Sequence, residues 1–355
     1  MYKKFFMGIA AMAALTLVSC SSDDLNSLSD NSSKNEAISF DGYLGRSAVS
    51  VNGTRGSVLD NTTLPSKGFG VFGHYSSATD QTFGSNLFNN VKVTGKTSTG
   101  GTTWTYDSKK YWPTEGHIDF LAYAPHVDDK TLTGSSSIEF TVAKDVTKQE
   151  DLLWANAANQ TKDNISITGN KVKFTFAHAL SRLGYTVKLS EKCSSVATIT
   201  LKNITLAGSA PTTGSTTEPT GAFYTNGTID LATGKWSSTS GNQNFNWFSA
   251  ETAGTQPVTF TSTSAETYKS TDYLFVIPQD FSTGTELYVI VEYTISYSDV
   301  TAKPFTYKVY KKLEKKFDQG KAYLINLTIG LTPIEFNADV TEWGNEDSSN
   351  IESWN

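Results

Sequence analysis

Apolar residues in this chain recur at every second position, and almost nowhere at the spacing of an amphipathic helix. Val172, Phe174 and Phe176 alternate with polar or small residues, as do Tyr185, Val187 and Leu189. Leu287, Val289, Val291, Tyr293, Ile295 and Tyr297 hold one side of a long stretch, and Tyr323, Ile325, Leu327 and Ile329 repeat the pattern. A period of two sends successive side chains to opposite faces of a strand. No amphipathic stretch exceeds about two helical turns. Each strand must therefore bury one face against another sheet, and the pattern predicts an all-β fold of packed sandwiches. A charged fraction of only 18%, with abundant threonine, serine and aromatics, points the same way.

The first predicted strand spans 37–44, with Ile38, Phe40 and Leu44 on alternating positions. Further strands are predicted at 68–75 (Phe69 and Val71 against Phe72 and His74), at 117–125 (Ile118, Phe120 and Ala122 on one face) and at 137–142. A turn at Asp107 and Ser108 separates Trp104-Thr105-Tyr106 from Tyr111-Trp112-Pro113. Ile199 with Leu201, and then 204–206, read as two short strands; 228–236 reads as a hairpin; 272–278 reads as a compact buried strand. Phe305, Tyr307 and Val309 alternate once more. The 355 residues suffice for about two domains. A polar, turn-rich stretch at 156–169 sets the expected boundary, giving an N-terminal domain at 37–168, a C-terminal domain at 169–343 and a polar tail at 344–355.

The N-terminus carries an address. Two lysines precede an apolar run from Phe5 to Val18, shorter than the ~20 residues of a spanning helix. Leu17-Val18-Ser19-Cys20 follows and resembles the lipobox of bacterial lipoprotein signal peptides. The resemblance implies removal of residues 1–19 and attachment of palmitate-type acyl chains at Cys20, whose thiolate is the nucleophile that forms the thioether. Several acyl chains hold a protein on a membrane far better than one. Residues 20–36 read as an acidic, polar tether. Its Ser21-Ser22-Asp23-Asp24 resembles the export signal of surface lipoproteins in Bacteroidetes, so the expected location is the outer membrane, facing outward. Cys193 is then the one other cysteine, which excludes an intramolecular disulfide framework and reads as a small apolar filler.

Enzyme chemistry finds little support. A net charge of −6 leaves no broad basic surface for nucleic acid. His117-Ile118-Asp119 and His126-Val127-Asp128-Asp129 each offer a histidine beside carboxylates, without the ligand spacing of a metal site. His178 shares its alternation with Phe176 and Leu180 and reads as a core histidine. No nucleophile elbow, phosphate loop or carboxylate pair stands out. Catalytic residues, cofactors and metals are therefore not nominated. Trp104, Tyr106, Tyr111, Trp112, Trp236 and Trp247 could stack on sugars if exposed, although strand aromatics are more often core.

Several segments, in order, resemble the fimbrillins, subunits of type V pili. They are Phe69-Gly70-Val71-Phe72-Gly73; Lys110-Tyr111-Trp112-Pro113 with Ile118-Asp119-Phe120-Leu121-Ala122-Tyr123-Ala124-Pro125; Phe176-Ala177-His178-Ala179-Leu180-Ser181; and Tyr273-Leu274-Phe275-Val276-Ile277-Pro278-Gln279. Tyr323-Leu324-Ile325-Asn326-Leu327 followed by Val340-Thr341-Glu342-Trp343 closes the series. The resemblance implies two tandem transthyretin-like β-sandwiches and assembly by strand exchange. A trypsin-like protease would cut after an arginine behind the first strand, and a strand from the next subunit would fill the vacated groove. Carried onto this chain, the released strand has Ile38, Phe40 and Leu44 as plugs. The cleaved residue is Arg55, in Thr54-Arg55-Gly56, with Arg46 as runner-up. The donor candidates are Ile334, Phe336, Ala338 and Val340, in a segment that reads equally as an ordinary last strand. The implied partners are other pilus subunits and, before processing, the outer membrane. A surface lipoprotein that binds a host glycan or host protein, such as a tip adhesin on the same scaffold, is the alternative. The polar tail leaves stalk, tip and anchor positions open.

Overall fold

The computed structural model describes residues 36–45, 58–165, 169–190, 197–212, 217–251, 255, 258–260, 268–269, 273–297, 303–331 and 337–342. Among them the chain runs through β1 (Phe40–Leu44), β2 (Phe69–Ser76), β3 (Phe88–Ser98), β4 (Gly101–Thr105), β5 (His117–Ala124), β6 (Ser137–Thr141), β7 (Leu153–Gln160) and β8 (Val172–His178). It continues through β9 (Ser181–Leu189), β10 (Ala197–Ala207), β11 (Phe223–Asp230), β12 (Trp236–Gln243), β13 (Phe245–Ser249), β14 (Val258–Phe260) and β15 (Tyr268–Lys269). The remaining strands are β16 (Leu274–Val276), β17 (Gln279–Asp280), β18 (Tyr288–Tyr297), β19 (Phe305–Lys312), β20 (Lys316–Phe317), β21 (Ala322–Ile329) and β22 (Asn337–Glu342). The α-helices are single turns, α1 (Leu64–Lys67) and α2 (Lys162–Ile165). The fold is all-β, as the alternation predicts.

A seven-stranded sheet runs in the order β1-β8-β7-β5-β2-β3-β4. Its central strands β2 and β5 are buried on both faces. Phe69, Val71, Ile118, Phe120 and Ala122 face one hydrophobic core, while Phe72, Leu121 and Tyr123 face another. The sheet is thus a wall between two cores. On the far side of the second core lie the sheets β13-β10-β18-β19 and β15-β9-β21-β22. Their inner faces meet there: Tyr185 packs edge-on to Trp247 with ring centroids 4.9 Å apart, and the Tyr293 hydroxyl reaches the Gly330 carbonyl at 3.4 Å. The hairpin of β11 and β12 forms as predicted. Gly234 in its turn has φ +72°, and a Cβ there would lie 2.1 Å from the Trp154 ring, so only glycine fits.

Two strands cross the expected division at 168–169. β8 lies beyond it and joins β7 and β1, and β6 lies before it and pairs with β11 from Ser137–Asp230 to Thr141–Asn226. The polar stretch expected to hold the boundary begins as strand, with 156–160 in β7, because its polar groups are used structurally: the Asn156 side chain donates to the Ala232 carbonyl at 2.9 Å, and the Asn159 N–H donates to Asp119 at 2.6 Å.

The two short strands expected at 199–206 are one strand, β10. Its apolar residues Ile199, Leu201, Ile204 and Leu206 are all fully buried, although one interval is three residues rather than two. The register against β18 shifts between Leu201 and Asn203 to absorb the extra residue. A bulge therefore keeps the alternation on the core side.

Candidate functional site

The structure places the first predicted strand in a groove lined by aromatic rings. Ile38, Phe40 and Leu44 are 1%, 2% and 3% exposed. The Phe40 ring meets four others, those of Tyr106, Phe88, Phe120 and Phe174, at centroid distances of 5.4 to 5.7 Å. Gly42 lies on the same face, where sequence reading assigned no plug. A Cβ there would stand 3.0 Å from Phe69 and 3.2 Å from Phe176, so the backbone presses against these rings because no side chain intervenes. Asp41 and Tyr43 take the opposite face, half-buried and exposed.

Backbone pairing makes this segment a bridge between the two ends of the sheet. β1 pairs parallel to β8 from Phe40–Val172 to Leu44–Phe176. The residues before β1 pair instead with the chain that follows β4. The Ile38 N–H donates to the Lys110 carbonyl at 2.8 Å, and the Trp112 N–H donates to Glu36 at 3.1 Å. Tyr106 reinforces this end, donating from its hydroxyl to the Ile38 carbonyl at 2.7 Å and accepting from the Lys110 N–H at 3.2 Å. Burial raises the pKa of that phenol, which keeps it protonated as a donor. On the other side, β8 pairs with β7 only through Ala177 and His178. Over residues 172–176, then, its strand partner among the described residues is β1.

Both flanks of the 46–57 segment are tied down. Leu44 donates its N–H to the Asn61 side chain at 2.7 Å. Leu59 donates its N–H to Asp151 Oδ2 at 3.2 Å, and the same oxygen lies 2.7 Å from His178 Nδ1, both side chains being buried. His178 is thus a core histidine held by a carboxylate. Asp60 fixes the turn into α1. Burial opposes its ionisation, but hydrogen bonds from Thr62 and Thr63 outweigh burial and hold its carboxyl below the usual range.

At the other end of the chain, β22 is an edge strand paired antiparallel to β21 from Tyr323–Glu342 to Thr328–Asn337. Ala338 is buried and Val340 half-buried, with Asn337, Asp339 and Thr341 exposed between them. Ile334 and Phe336 lie outside the described residues, as do Cys20, Arg46, Arg55 and Cys193.

The other candidate residues have structural partners. Asp119 is fully buried and accepts from Thr82 and Asn159 backbone N–H groups while contacting His117 at 3.0 Å. His126 lies 3.6 Å from Asp128, and burial lowers its pKa. Among the described residues, no group of three or more histidines, cysteines or carboxylates is placed to hold a metal ion. Trp104, Trp112 and Trp247 are buried, and the half-buried Trp236 donates its ring N–H to the Ala179 carbonyl at 2.8 Å. Of the six aromatics, Tyr111 alone is exposed, at 53%. Trp247 is thus a core ring with no face open to a sugar, and Trp236 packs against the same core.

Comparison with solved structures finds the same fold in a fimbrial protein from Bacteroides vulgatus ATCC 8482. The TM-score is 0.64 at 20% identity, over 90% of this chain and 100% of that one. A candidate cell adhesion protein from Bacteroides uniformis ATCC 8492 matches with a TM-score of 0.49 at 18% identity, over 90% of this chain and 99% of the other. Comparison with curated proteins finds no match. A family model described as fimbrillin-like matches residues 54–343, most of the chain and nearly every strand described above. The chain belongs to the fimbrillin-like family.

Proposed function

We propose that this chain is a pilus subunit, exported as a lipoprotein precursor and assembled by release of its first strand. The observation that carries the proposal is the groove. One short segment plugs an aromatic core with three apolar side chains and supplies the strand pairing of β8, yet it joins the remainder of the chain through a stretch containing Arg46 and Arg55. A cut between 46 and 57 leaves Leu59 and α1 anchored to the body, while residues 36–45 are retained by noncovalent contacts alone. Their departure exposes rings and unpaired backbone, a template for another strand. The C-terminal segment of a second copy, carrying Ile334, Phe336, Ala338 and Val340, supplies that strand. Such a head-to-tail contact does not close on itself and extends into a filament. The lipid at Cys20 holds the precursor at the outer membrane before cleavage.

A terminal position, as tip or anchor, is the second reading. It is favoured by the tail at 344–355, whose Asn, Ser, Asp and Glu residues depart from an apolar donor. Limited trypsin separates the readings. The stalk reading predicts cleavage after Arg55 or Arg46, a body compact from residue 56 onward with a lowered melting temperature, and recovery of that temperature on adding a peptide of residues 334–343. A cut chain that melts like the precursor and ignores the peptide contradicts strand exchange.

A further inference from the structure

The bulge in β10 re-aims two side chains as well as keeping the core in phase. Lys202 and Asn203 both fall between the buried Leu201 and Ile204, where β18 offers the single residue Glu292 opposite. A second irregularity lies beside it. Against β13 the register moves from Ile204–Phe248 to Thr205–Asn246, so that Trp247 is the extra residue. Paired bulges on adjacent strands twist and hollow the outer face of this sheet. A cleft of about 590 Å³ lies there, floored by β10, β13, β18 and β19. Its volume is that of a small-ligand site, roughly 300–1,000 Å³. A smaller hollow of about 370 Å³ adjoins it, sharing Lys144, Asn246 and Ser249.

The lining is unusual for a strand surface. Asparagine is depleted in strands, yet Asn203 and Asn246 meet diagonally across the bulged pair, opposite Ser249 and Thr205, with Asn203 Nδ2 donating to Asn246 Oδ1 at 2.9 Å. Thr205 donates to Asn203 Oδ1 at 2.7 Å, which fixes the orientation of both amides. Asn246 Nδ2 is left as a donor with no partner among the described residues. Glu292 lies 3.7 Å from Lys308, and its carboxylate keeps capacity to accept hydrogen bonds. Ile290 lies beneath this face and is 2% exposed, so the contact surface is made by the polar side chains around it.

We propose that this cleft binds an uncharged oligosaccharide. Planar amides held in fixed orientation, beside a carboxylate, match the hydroxyl pairs of a sugar. Charge excludes an anionic ligand as the preferred one, since Lys144, Lys202 and Lys308 are balanced by Glu218, Glu251 and Glu292. Backbone pairing excludes a peptide added as a strand, because β10 and β18 are each paired on both edges. The proposal is independent of strand exchange, which occurs at the seven-stranded sheet, and it holds for a stalk or a terminal subunit alike.

The test is a printed array of neutral, sialylated and sulfated oligosaccharides probed with the full chain, followed by calorimetric titration of the tightest neutral binder. Neutral oligosaccharides are expected to bind in preference. Asn246→Ala and Glu292→Gln should each weaken the titrated oligosaccharide at least tenfold, about 1.4 kcal/mol, with melting curves like that of the native chain. If Asn246→Ala fails to fold, Glu292→Gln, at a side chain open to solvent, carries the test alone. An array without binding, binding confined to charged glycans, or native-like affinity in the folded variants overturns the assignment.

Discussion

Phe40 is the residue on which the groove turns, because its buried ring meets four others. Phe40→Asp places an unpaired charge where a large apolar side chain is lost, and is expected to cost at least about 3–5 kcal/mol. Asp41→Asn, on the opposite face, is expected to stay within about 0.5 kcal/mol. Urea melts of the precursor check both; equal and mild effects would mean that the strand is not held by its plugs. Tyr123 makes a second residue-scale prediction, on the wall between the cores. Burial, only partly offset by hydrogen bonds with Val127 and Asn90, pushes its phenol up to about 12 from an ordinary value of 10.0. Because the folded state keeps this proton more tightly than the unfolded chain, the stabilisation is complete below pH 10 and is lost as pH rises toward about 12. Tyr123→Phe should flatten that part of the alkaline stability profile. A profile unchanged by the substitution would show that another group sets it.

At the scale of elements, the place of the first strand is decided by pairing rather than by pattern. Alternation in Ile38, Phe40 and Leu44 was legible because period two reports which face is buried. Gly42 was not, since a glycine contributes no side chain and its role is close approach to Phe69 and Phe176. The partner of the strand was equally hidden: parallel pairing to β8 joins residues more than 130 positions apart, and nothing local encodes it. The same limit explains why β6 and β8 crossed the expected division. The bulge in β10 was written in the three-residue interval between Leu201 and Ile204, yet reading it as two strands missed the cleft above it. Buried aromatics such as Trp104 and Trp112 could not be told from exposed ones by composition. Pairing also predicts where cleavage is felt. After trypsin treatment, hydrogen exchange should rise at 172–176 and 110–112, whose partner has gone, while β10, β18 and β21 keep their protection. Uniform loosening of all strands would contradict a groove confined to one core.

On the scale of the whole molecule, two cores share one sheet, and only one of them contains the first strand. If the first strand is released as proposed, this division would let the chain lose it without unfolding, because the second core contains none of residues 36–45. The first and last described strands lie in different sheets, β1 at one edge of the seven-stranded sheet and β22 at the edge of β15-β9-β21-β22. Under the proposed strand exchange, one copy would act as acceptor and donor at once, as a filament requires. Membership of a fimbrial family agrees with a role at the cell surface. Anchoring is expected to rest on one residue. Cys20→Ala should abolish incorporation of a fatty-acid analogue and leave uncut precursor, and continued labelling of the variant would show the lipobox reading to be wrong.

The central claim is that the first strand leaves and is replaced. The N-terminal sequence of the subunit in filaments sheared from the cell surface tests it most directly. The account predicts chains that begin at Gly56, or at Ser47 if Arg46 is the site, and that lack Phe40 and Leu44. Filament subunits that begin at the lipid-bearing Cys20 and still carry residues 36–45 would contradict it.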